Sequence, residues 1–301
     1  MKAALIAVAA LGGVALGGLA HADNRAWTVA RDHLPDTALV VSVDVEAVAK
    51  TKVWAKVAPL LLEQHDAKEV FARVKASCKL DATTAVTSIV VAADPAKDET
   101  AVFLAMPSVG AKKALGCLQA VAADNKMTVK QDGELVQISD GHDGVVIALI
   151  GDVVVATSSW TDRAKVKAWI SGAGAFGKGA TGKLAAKVPA GSTAWAATTA
   201  AKQLAGTAPG VVQAYGWGTL AGGKLTAEIH ADYGNVTTAS NNVADANNAL
   251  AQTAANPPLP SLGPILKTMT IAAAGSELVV KDAVAESDLV ALFDAVLAPA
   301  H

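Results

Sequence analysis

Residues 127–158 show the clearest alternation of short apolar segments and tight turns in the chain. Four runs rich in β-branched residues occupy residues 127–131, 134–139, 145–150 and 153–157. The turns between them contain Asp132-Gly133, Gly144 and Gly151-Asp152. Asp-Gly and Gly-Asp pairs supply the positive φ that tight hairpins need. The pattern therefore predicts an antiparallel meander of four strands.

Strands and helices alternate before this meander. β-Branched runs predict strands over residues 38–45, 86–93 and 100–106, and the last two are apolar on both faces. Helical spacing predicts a helix through Val53 and Val57 with a break or bend at Pro59, followed by helices over residues 66–77 and 111–123. Thr161 is a suitable N-cap for a helix after the meander. Together these elements predict an α+β lobe over residues 23–171.

Five glycines between residues 172 and 183 mark a change in composition, which predicts a flexible linker before a second lobe over residues 184–301. The second lobe repeats the order of elements: a strand over 192–199, a hairpin across Gly222-Gly223, a polar helix over 237–254, a further hairpin at Gly275 and a last helix from Ser287. We interpret this order as a degenerate duplication of an antiparallel sheet packed by helices, with one hairpin lost. Chance agreement between two α+β lobes is the alternative.

The register of this duplication stays open at the sequence level. Residues 269–279 resemble residues 127–136, because Gly275 would then align with Gly133. Ala274-Gly275-Ser276 aligns almost as well with Ile150-Gly151-Asp152. Both alignments leave the second lobe one hairpin short.

The first 22 residues have the pattern of a secretory signal peptide. Lys2 is the positive start, residues 3–20 are apolar, and Ala20-His21-Ala22 is a small-x-small cleavage pattern. An uncleaved membrane anchor is the alternative, since Gly13 and Gly17 lie at the spacing of a helix-dimer motif. The adjacent cleavage pattern favours export to the periplasm or the medium. We expect no membrane span after cleavage.

Composition and cysteine content narrow the class of protein. The chain is 52% hydrophobic but 4% aromatic, so small side chains must form thin, closely approaching layers. Its 25 basic and 27 acidic residues provide no positive field for nucleic acid. Cys78 and Cys117 are the only cysteines. In an oxidising compartment they are expected to form one structural disulfide.

The segment Leu34-Pro35-Asp36-Thr37, followed by Val41-Ser42-Val43-Asp44-Val45, resembles the opening of uncharacterised exported bacterial proteins from Ala-rich genomes such as those of myxobacteria. The resemblance covers residues 34–45. It implies export and an α+β fold, and it implies no chemistry.

The Gly222-Gly223 hairpin carries the candidate ligand-binding face. In the register of a two-residue loop, Trp217 lies opposite Glu228 and Tyr215 opposite His230. The predicted binding residues, all on one face, are Gln213, Tyr215, Trp217, Glu228, His230 and Asp232. Aromatic rings beside carboxylates and an amide suit a sugar or a peptide. The alternative is a solvated or covered face whose aromatic pairs only stabilise the strands.

The sequence gives little support for a metal site or a cofactor site. Residues at i, i+2 and i+4 of a strand are about 7 Å apart in succession, so Glu228, His230 and Asp232 are too far apart to hold one ion together. The glycines at 172–183 lack the Ser or Thr of a phosphate loop. We expect no cofactor and no metal.

The sequence supports three functional hypotheses. The first is an exported, non-enzymatic binding or envelope-associated protein whose partner is a small molecule, a glycan or an envelope protein. The second is a periplasmic hydrolase with a site near Glu228 and His230, for which no nucleophile is identifiable. The third is a lipid carrier, which would need an apolar cavity.

Overall fold

A computed structural model describes residues 24–63, 65–139, 144–158, 163–172, 174–204 and 209–297. The predicted signal peptide, Thr161 as an N-cap and the turn over residues 140–143 lie outside these ranges. Among the helices that are described, none is both long and apolar enough to cross a bilayer.

The described strands are β1 Leu39–Asp44, β2 Ser88–Asp94, β3 Glu99–Ala105, β4 Thr128–Asp132, β5 Leu135–Ser139, β6 Gly144–Ile150, β7 Val153–Ser158, β8 Ala194–Thr198, β9 Gln213–Ala221, β10 Lys224–Asp232, β11 Thr270–Ala274 and β12 Glu277–Ala285. They follow one sheet order, β11-β12-β10-β9-β8-β1-β2-β3-β7-β6-β5-β4. The predicted meander is confirmed, because β4, β5, β6 and β7 are consecutive and antiparallel.

The α-helices are α1 Arg25–His33, α2 Val45–Ala49, α3 Lys52–Glu63, α4 His65–Cys78, α5 Ala82–Ala85, α6 Ala111–Asp124, α7 Arg163–Ile170, α8 Ala180–Ala185, α9 Val236–Ala255, α10 Leu262–Thr268 and α11 Glu286–Leu297. Short 3-10 helices occur at Phe176–Lys178 and Ala201–Gln203. The predicted α+β class, with an antiparallel sheet packed by helices, is confirmed. The prediction of a separate sheet in each lobe is wrong, because the strands share one order. Pro59 lies inside α3 and does not end it.

The described chain divides into two compact units. The first contains residues 24–46 and Leu60–Lys183, and the second contains Ala47–Pro59 and residues 184–297. Val53 and Val57 join the second unit because they pack with Leu220, Leu225 and Ile265. This apolar cluster lies on the opposite face of the β9–β10 hairpin from the predicted binding residues, as the alternation of the sequence predicts.

In the first unit, the disulfide joins α4 to α6. Cys78 and Cys117 are bonded with their Cα atoms 4.9 Å apart, which confirms the predicted pairing. Both cysteines pack against a buried cluster that includes Val136 and Ile147 of the meander. The bond therefore fixes two helices beside the strands that the sequence identifies most clearly.

Removing this bond should lower the stability of the first unit. The two cysteines are 39 residues apart. On the chain-entropy model, closing a loop of that size removes entropy from the unfolded chain and so raises the free energy of unfolding by about 4 kcal/mol. We expect the Cys78→Ala, Cys117→Ala double variant to show that loss in denaturant unfolding. Free-thiol titration of the unfolded, unreduced protein provides an independent check, and two free thiols would contradict the bond.

The glycine-rich segment is packed in the residues that the structure describes. It contains the 3-10 helix at Phe176–Lys178 and the helix α8, and Phe176 is 1% exposed. Phe176 packs edge-on against Trp27 at 5.6 Å, and its backbone N–H donates to the Leu34 carbonyl at 3.1 Å. The segment stays a predicted boundary between lobes, but these contacts show that it is not an open, flexible linker.

A close approach of the backbone explains one of these glycines. A Cβ atom at Gly174 would lie 2.7 Å from the His33 carbonyl carbon and 2.9 Å from the Leu34 backbone nitrogen. The backbone at these two residues would therefore have to move. No atom lies within 4 Å of a Cβ built at Gly177. Gly174 is therefore required by sterics, whereas Gly177 is not.

We expect Gly174→Ala to lower the free energy of unfolding by about 1–3 kcal/mol, the usual effect of overpacking. Gly177→Ala is the matched control and should change stability by less than about 0.5 kcal/mol. Thermal and denaturant unfolding of both variants measure the difference. Equal stabilities would show that the close approach at Gly174 is wrong.

Candidate functional site

The candidate site is the face of β9, β10, β12 and β11 that carries Trp217, Glu228, Lys281 and their neighbours, and we call it the polar face. The predicted register is confirmed: Trp217 lies opposite Glu228, Tyr215 opposite His230, and Gln213 opposite Asp232. All six predicted residues therefore share one face of the hairpin. Whether they bind a ligand stays a prediction.

Three rings on this face lie nearly parallel. The ring of Tyr215 stacks on His230 with centroids 4.4 Å apart and planes inclined by 12°. Trp217 lies 5.5 Å from His230 and 6.1 Å from Tyr215, with interplanar angles of 22° and 24°. Offset stacking of this kind is favourable beyond the area that it buries. The rings thus form one stacked group.

Hydrogen bonds to two carboxylates hold the imidazole of His230. Its Nδ1 lies 2.7 Å from Glu277 Oε2, and its Nε2 lies 2.9 Å from Glu228 Oε1. A neutral imidazole donates from only one nitrogen, so both contacts are donated bonds only in the doubly protonated form. The arrangement therefore engages both nitrogens of His230.

Two lysines form ion pairs with the two glutamates of the face. Lys187 contacts Glu277 at 3.0 Å, and its ammonium lies 4.8 Å above the Tyr215 ring. Lys281 contacts Glu228 at 3.1 Å from the next strand. Tyr215 also donates its hydroxyl to Glu277 at 3.4 Å. Each of the two glutamates thus has a lysine and a histidine nitrogen as partners.

The electrostatics of Glu277 follow from these contacts. Burial raises the pKa of this carboxyl, but the hydrogen bonds and positive charges of His230 and Lys187 outweigh burial, so its pKa lies below the ordinary value. Burial also lowers the pKa of Lys187, yet the bond to Glu277 raises it overall. The pair therefore stays ionised at neutral pH.

Asp232 closes the other end of the face. Burial raises its pKa, while bonds from the Gly234 backbone, Ser276 and Gln213 lower it below the ordinary value. The Gln213 amide donates to it at 2.8 Å, and the Gly234 N–H also donates at 2.8 Å. Because Gln213 is the first residue of β9, its bond to Asp232 ties the start of β9 to the end of β10.

Sequence reasoning did not place Glu277, Lys281 and Lys187 in the site. β12 pairs with β10, which sets Glu277 opposite Asp232 and Lys281 opposite Glu228. The alternation of Glu277, Val279 and Lys281 indicates a shared face, but no local signal in the sequence shows which strand lies beside β10. Lys187 comes from the turn after α8 and carries no periodic signal.

The arrangement on this face is not that of a metal centre. Within the described ranges, no group of three or more His, Cys, Asp or Glu side chains is placed to hold a metal ion. On the polar face, lysine ammonium groups occupy positions beside the carboxylates that a cation would otherwise take. The groups on this face offer hydrogen bonding, paired charges and contact with flat rings.

Comparison with known proteins shows a likeness in fold. No protein-family model matches the sequence, and no curated protein matches it. Three crystal forms of TP0453 are similar in structure. Form IV has a TM-score of 0.53 at 8% identity, covering 87% of this chain and 94% of that chain. Form III has 0.52 at 9% identity over 88% and 96%, and form I has 0.51 at 8% over 92% and 98%.

The lowered pKa of Glu277 predicts that the free energy of unfolding depends on pH in the acidic range. A carboxyl whose pKa is lower in the folded state stabilises the fold above its unfolded pKa, and this contribution is lost as pH falls through the folded pKa. We expect Glu277→Gln to be destabilised relative to the parent protein at pH 7, with the difference shrinking towards pH 3. Denaturant unfolding at both pH values measures it.

Glu134→Gln is the control for this experiment, because Glu134 is an exposed carboxylate in the turn of the meander. Its free energy of unfolding should follow the parent protein at both pH values. A Glu277→Gln difference that stays constant with pH would contradict the charged contacts to His230 and Lys187.

Proposed function

We propose that the protein is exported and binds a glycan of the cell envelope on the polar face, without catalysing a reaction. The observation that carries the proposal is the stack of Tyr215, Trp217 and His230 beside carboxylates that the same histidine contacts. A flat ring contacts the apolar face of a sugar, and oriented charged groups bind its hydroxyls. Prior ordering of these groups reduces the cost of binding.

The accessible groups lie in one row across four strands. Trp217 lies opposite Glu228, Glu228 opposite Lys281, and Lys281 opposite Thr270. Neighbouring strands are about 4.8 Å apart, so the row spans about 14 Å. The side chain of Lys281 is 60% exposed, Thr270 is exposed, and Trp217 is partly exposed. A row of this length suits an extended ligand.

The state of His230 favours binding over hydrolysis. A catalytic base needs a nitrogen directed at the proton that it removes. Both nitrogens of His230 instead lie against Glu228 and Glu277, and among the described hydrogen bonds none joins its ring to a hydroxyl or a thiol. The hydrolase hypothesis therefore lacks its nucleophile, and we retain it only as an outcome of the test.

Export is the part of the proposal that rests on the sequence. The pattern of residues 1–22 supports it, and the disulfide between Cys78 and Cys117 is of a kind that persists in oxidising compartments. An exported protein with a glycan-binding face would meet its ligand in the envelope. Localisation to the periplasm or the medium follows from the same two observations.

The proposal includes a degenerate duplication of the two units. In the first unit the strands run β1-β2-β3-β7-β6, and in the second they run β8-β9-β10-β12-β11. In both, a helix follows the third strand, and the second strand of a later hairpin returns to pair with that third strand. Gly275 then corresponds to Gly151, with φ values of 62° and 61°. The extra hairpin of the first unit is β4–β5.

Loss of the partly exposed Trp217 ring should weaken glycan binding. We expect Trp217→Ala to raise the Kd for chitotetraose, or for another tetrasaccharide of a soluble panel, about fivefold, because a stacked aromatic contact contributes on the order of 1 kcal/mol. Lys281→Ala should weaken binding while the protein still folds, since the Lys281 side chain itself is 60% exposed. Isothermal titration calorimetry measures both constants.

Lys267→Ala is the matched control, because it removes the same charge from an exposed position on α10. It should leave the Kd unchanged. Absence of saturable binding to the glycan panel, or binding that Trp217→Ala and Lys281→Ala do not alter, would overturn the proposal. Release of shorter sugars over time would instead support the hydrolase.

A further inference from the structure

The strand β11 is the outer strand of the second unit and presents an open edge. It pairs with β12 on one side, and in the described part of the chain no strand pairs with its other side. Ala272, Ala273 and Ala274 are all exposed. The edge of a sheet carries backbone donors and acceptors that a further strand can use.

The register of the β11–β12 hairpin decides which backbone groups point outward. Ala274 pairs with Glu277 across a two-residue loop, and the pair that closes such a loop exchanges hydrogen bonds. Alternation then directs the N–H and C=O groups of Ile271 and Ala273 away from β12. The Asn247 amide of α9 donates to the Ile271 carbonyl at 3.1 Å, as this direction requires. Within the described ranges, the outward groups of Ala273 have no partner.

This edge lacks the charges that usually prevent sheets from joining. Between residues 236 and 276, Asp245 and Lys267 are the only charged residues, and neither lies on β11. The other edge strand in the sheet order, β4, contains Lys130 and Asp132. Charged side chains on an edge strand oppose edge-to-edge pairing. β4 therefore has a protection that β11 does not have.

An uncharged edge suits a second copy of the same chain. In a two-fold interface the same surface meets itself, so a charge near the axis would face a like charge. With the axis at Ala272, this residue lies opposite Ala272 of the second copy, Ile271 lies opposite Ala273, and Thr270 opposite Ala274. No such pair joins two large side chains or two charges. The strand is therefore complementary to itself.

The helix α9 supplies further area beside this edge. It packs on β11 and β12, and the bond from Asn247 brings it to the outward side of β11. A two-fold axis perpendicular to the sheet would leave both copies of α9 on the same face. Its exposed residues beside Asn247 are Ala244, Asn248 and Ala251, which are small or carry an amide. Such side chains allow two helices to approach closely and to exchange hydrogen bonds.

We propose that the protein forms a two-fold dimer in which β11 pairs with β11 of a second copy in antiparallel orientation. Ile271 of each copy exchanges two backbone hydrogen bonds with Ala273 of the other, and the carbonyl of Ile271 has a second lone pair for this bond. The two copies of α9 pack side by side. The proposal is independent of the glycan site, because the interface includes none of the six predicted binding residues.

The experiment measures the mass of the purified full chain by sedimentation equilibrium from about 1 to about 100 μM. We expect the mass to rise to that of two chains and then to stay constant. The mass of one chain at every concentration would overturn the proposal. A mass that continues to rise would also overturn it, because β11 would then pair with a different surface and form an open chain.

A proline variant tests the outward backbone groups. Ala273→Pro removes an N–H that points away from β12, so the bonds within the hairpin are retained. Each copy loses one donated bond, and we expect the Kd of the dimer to rise about thirtyfold. Gln131→Pro is the matched control, because Gln131 holds the same place in β4, one residue before the end of the strand. It should leave the Kd unchanged.

A pair of charge variants tests the position of the axis without proline. Ala272 is exposed, so Ala272→Lys and Ala272→Glu should both fold, which circular dichroism checks. In either variant alone, like charges lie opposite each other, and we expect the Kd to rise about fivefold. An equimolar mixture of the two variants should dimerise at least as tightly as the parent protein. A dimer that the Ala273 and Ala272 variants do not weaken would overturn the proposal.

Trp217→Ala should remain a dimer, since Trp217 lies on β9. Failure of the glycan titration and failure of the sedimentation test are therefore separate results.

Discussion

The antiparallel register of β9, β10 and β12 is the constraint on which the polar face depends. Alternation along each strand decides which side chains share a face, and register decides which of them meet. A slip of one residue would turn His230 to the opposite face of the sheet, away from both Glu228 and Glu277. The network of rings and charges thus exists only because three strands are paired in one register.

The charges of this face are largely withdrawn from water, which makes their pairing necessary. The side chains of His230, Glu228 and Glu277 are 12%, 20% and 18% exposed. Removing a charge from water is unfavourable unless opposite charges and hydrogen bonds replace the lost hydration. Lys187 and Lys281 approach from outside the hairpin and provide that replacement. The same contacts that order the face also tie the strands together.

The hairpin of the site could be predicted from sequence because a two-residue loop leaves little freedom. Gly222 and Gly223 both have positive φ, of 59° and 75°, and the strands that they join keep strict alternation. Six site residues follow from that loop alone. The position of β12 could not be predicted, because the long helix α9 separates it from β10 and no local signal records which strands pair.

Similar limits explain the errors in the predicted fold. A glycine-rich composition suggests a flexible segment, but Gly174 allows close contact with the backbone at His33 and Leu34, which only the folded chain reveals. Alternation within residues 127–158 identifies four strands, and it contains no information on which other strand they pair with. Local patterns therefore identified the elements, whereas long-range pairing had to come from the structure.

The disulfide has a consequence for the order in which the chain matures. The strands β2 and β3 lie between Cys78 and Cys117 in the chain, so the bond closes a covalent loop that contains their hairpin. While the thiols remain reduced, as cytosolic thiols generally are, this loop is not closed by a covalent bond. Oxidation of the two thiols is therefore a step that the first unit needs for its full stability.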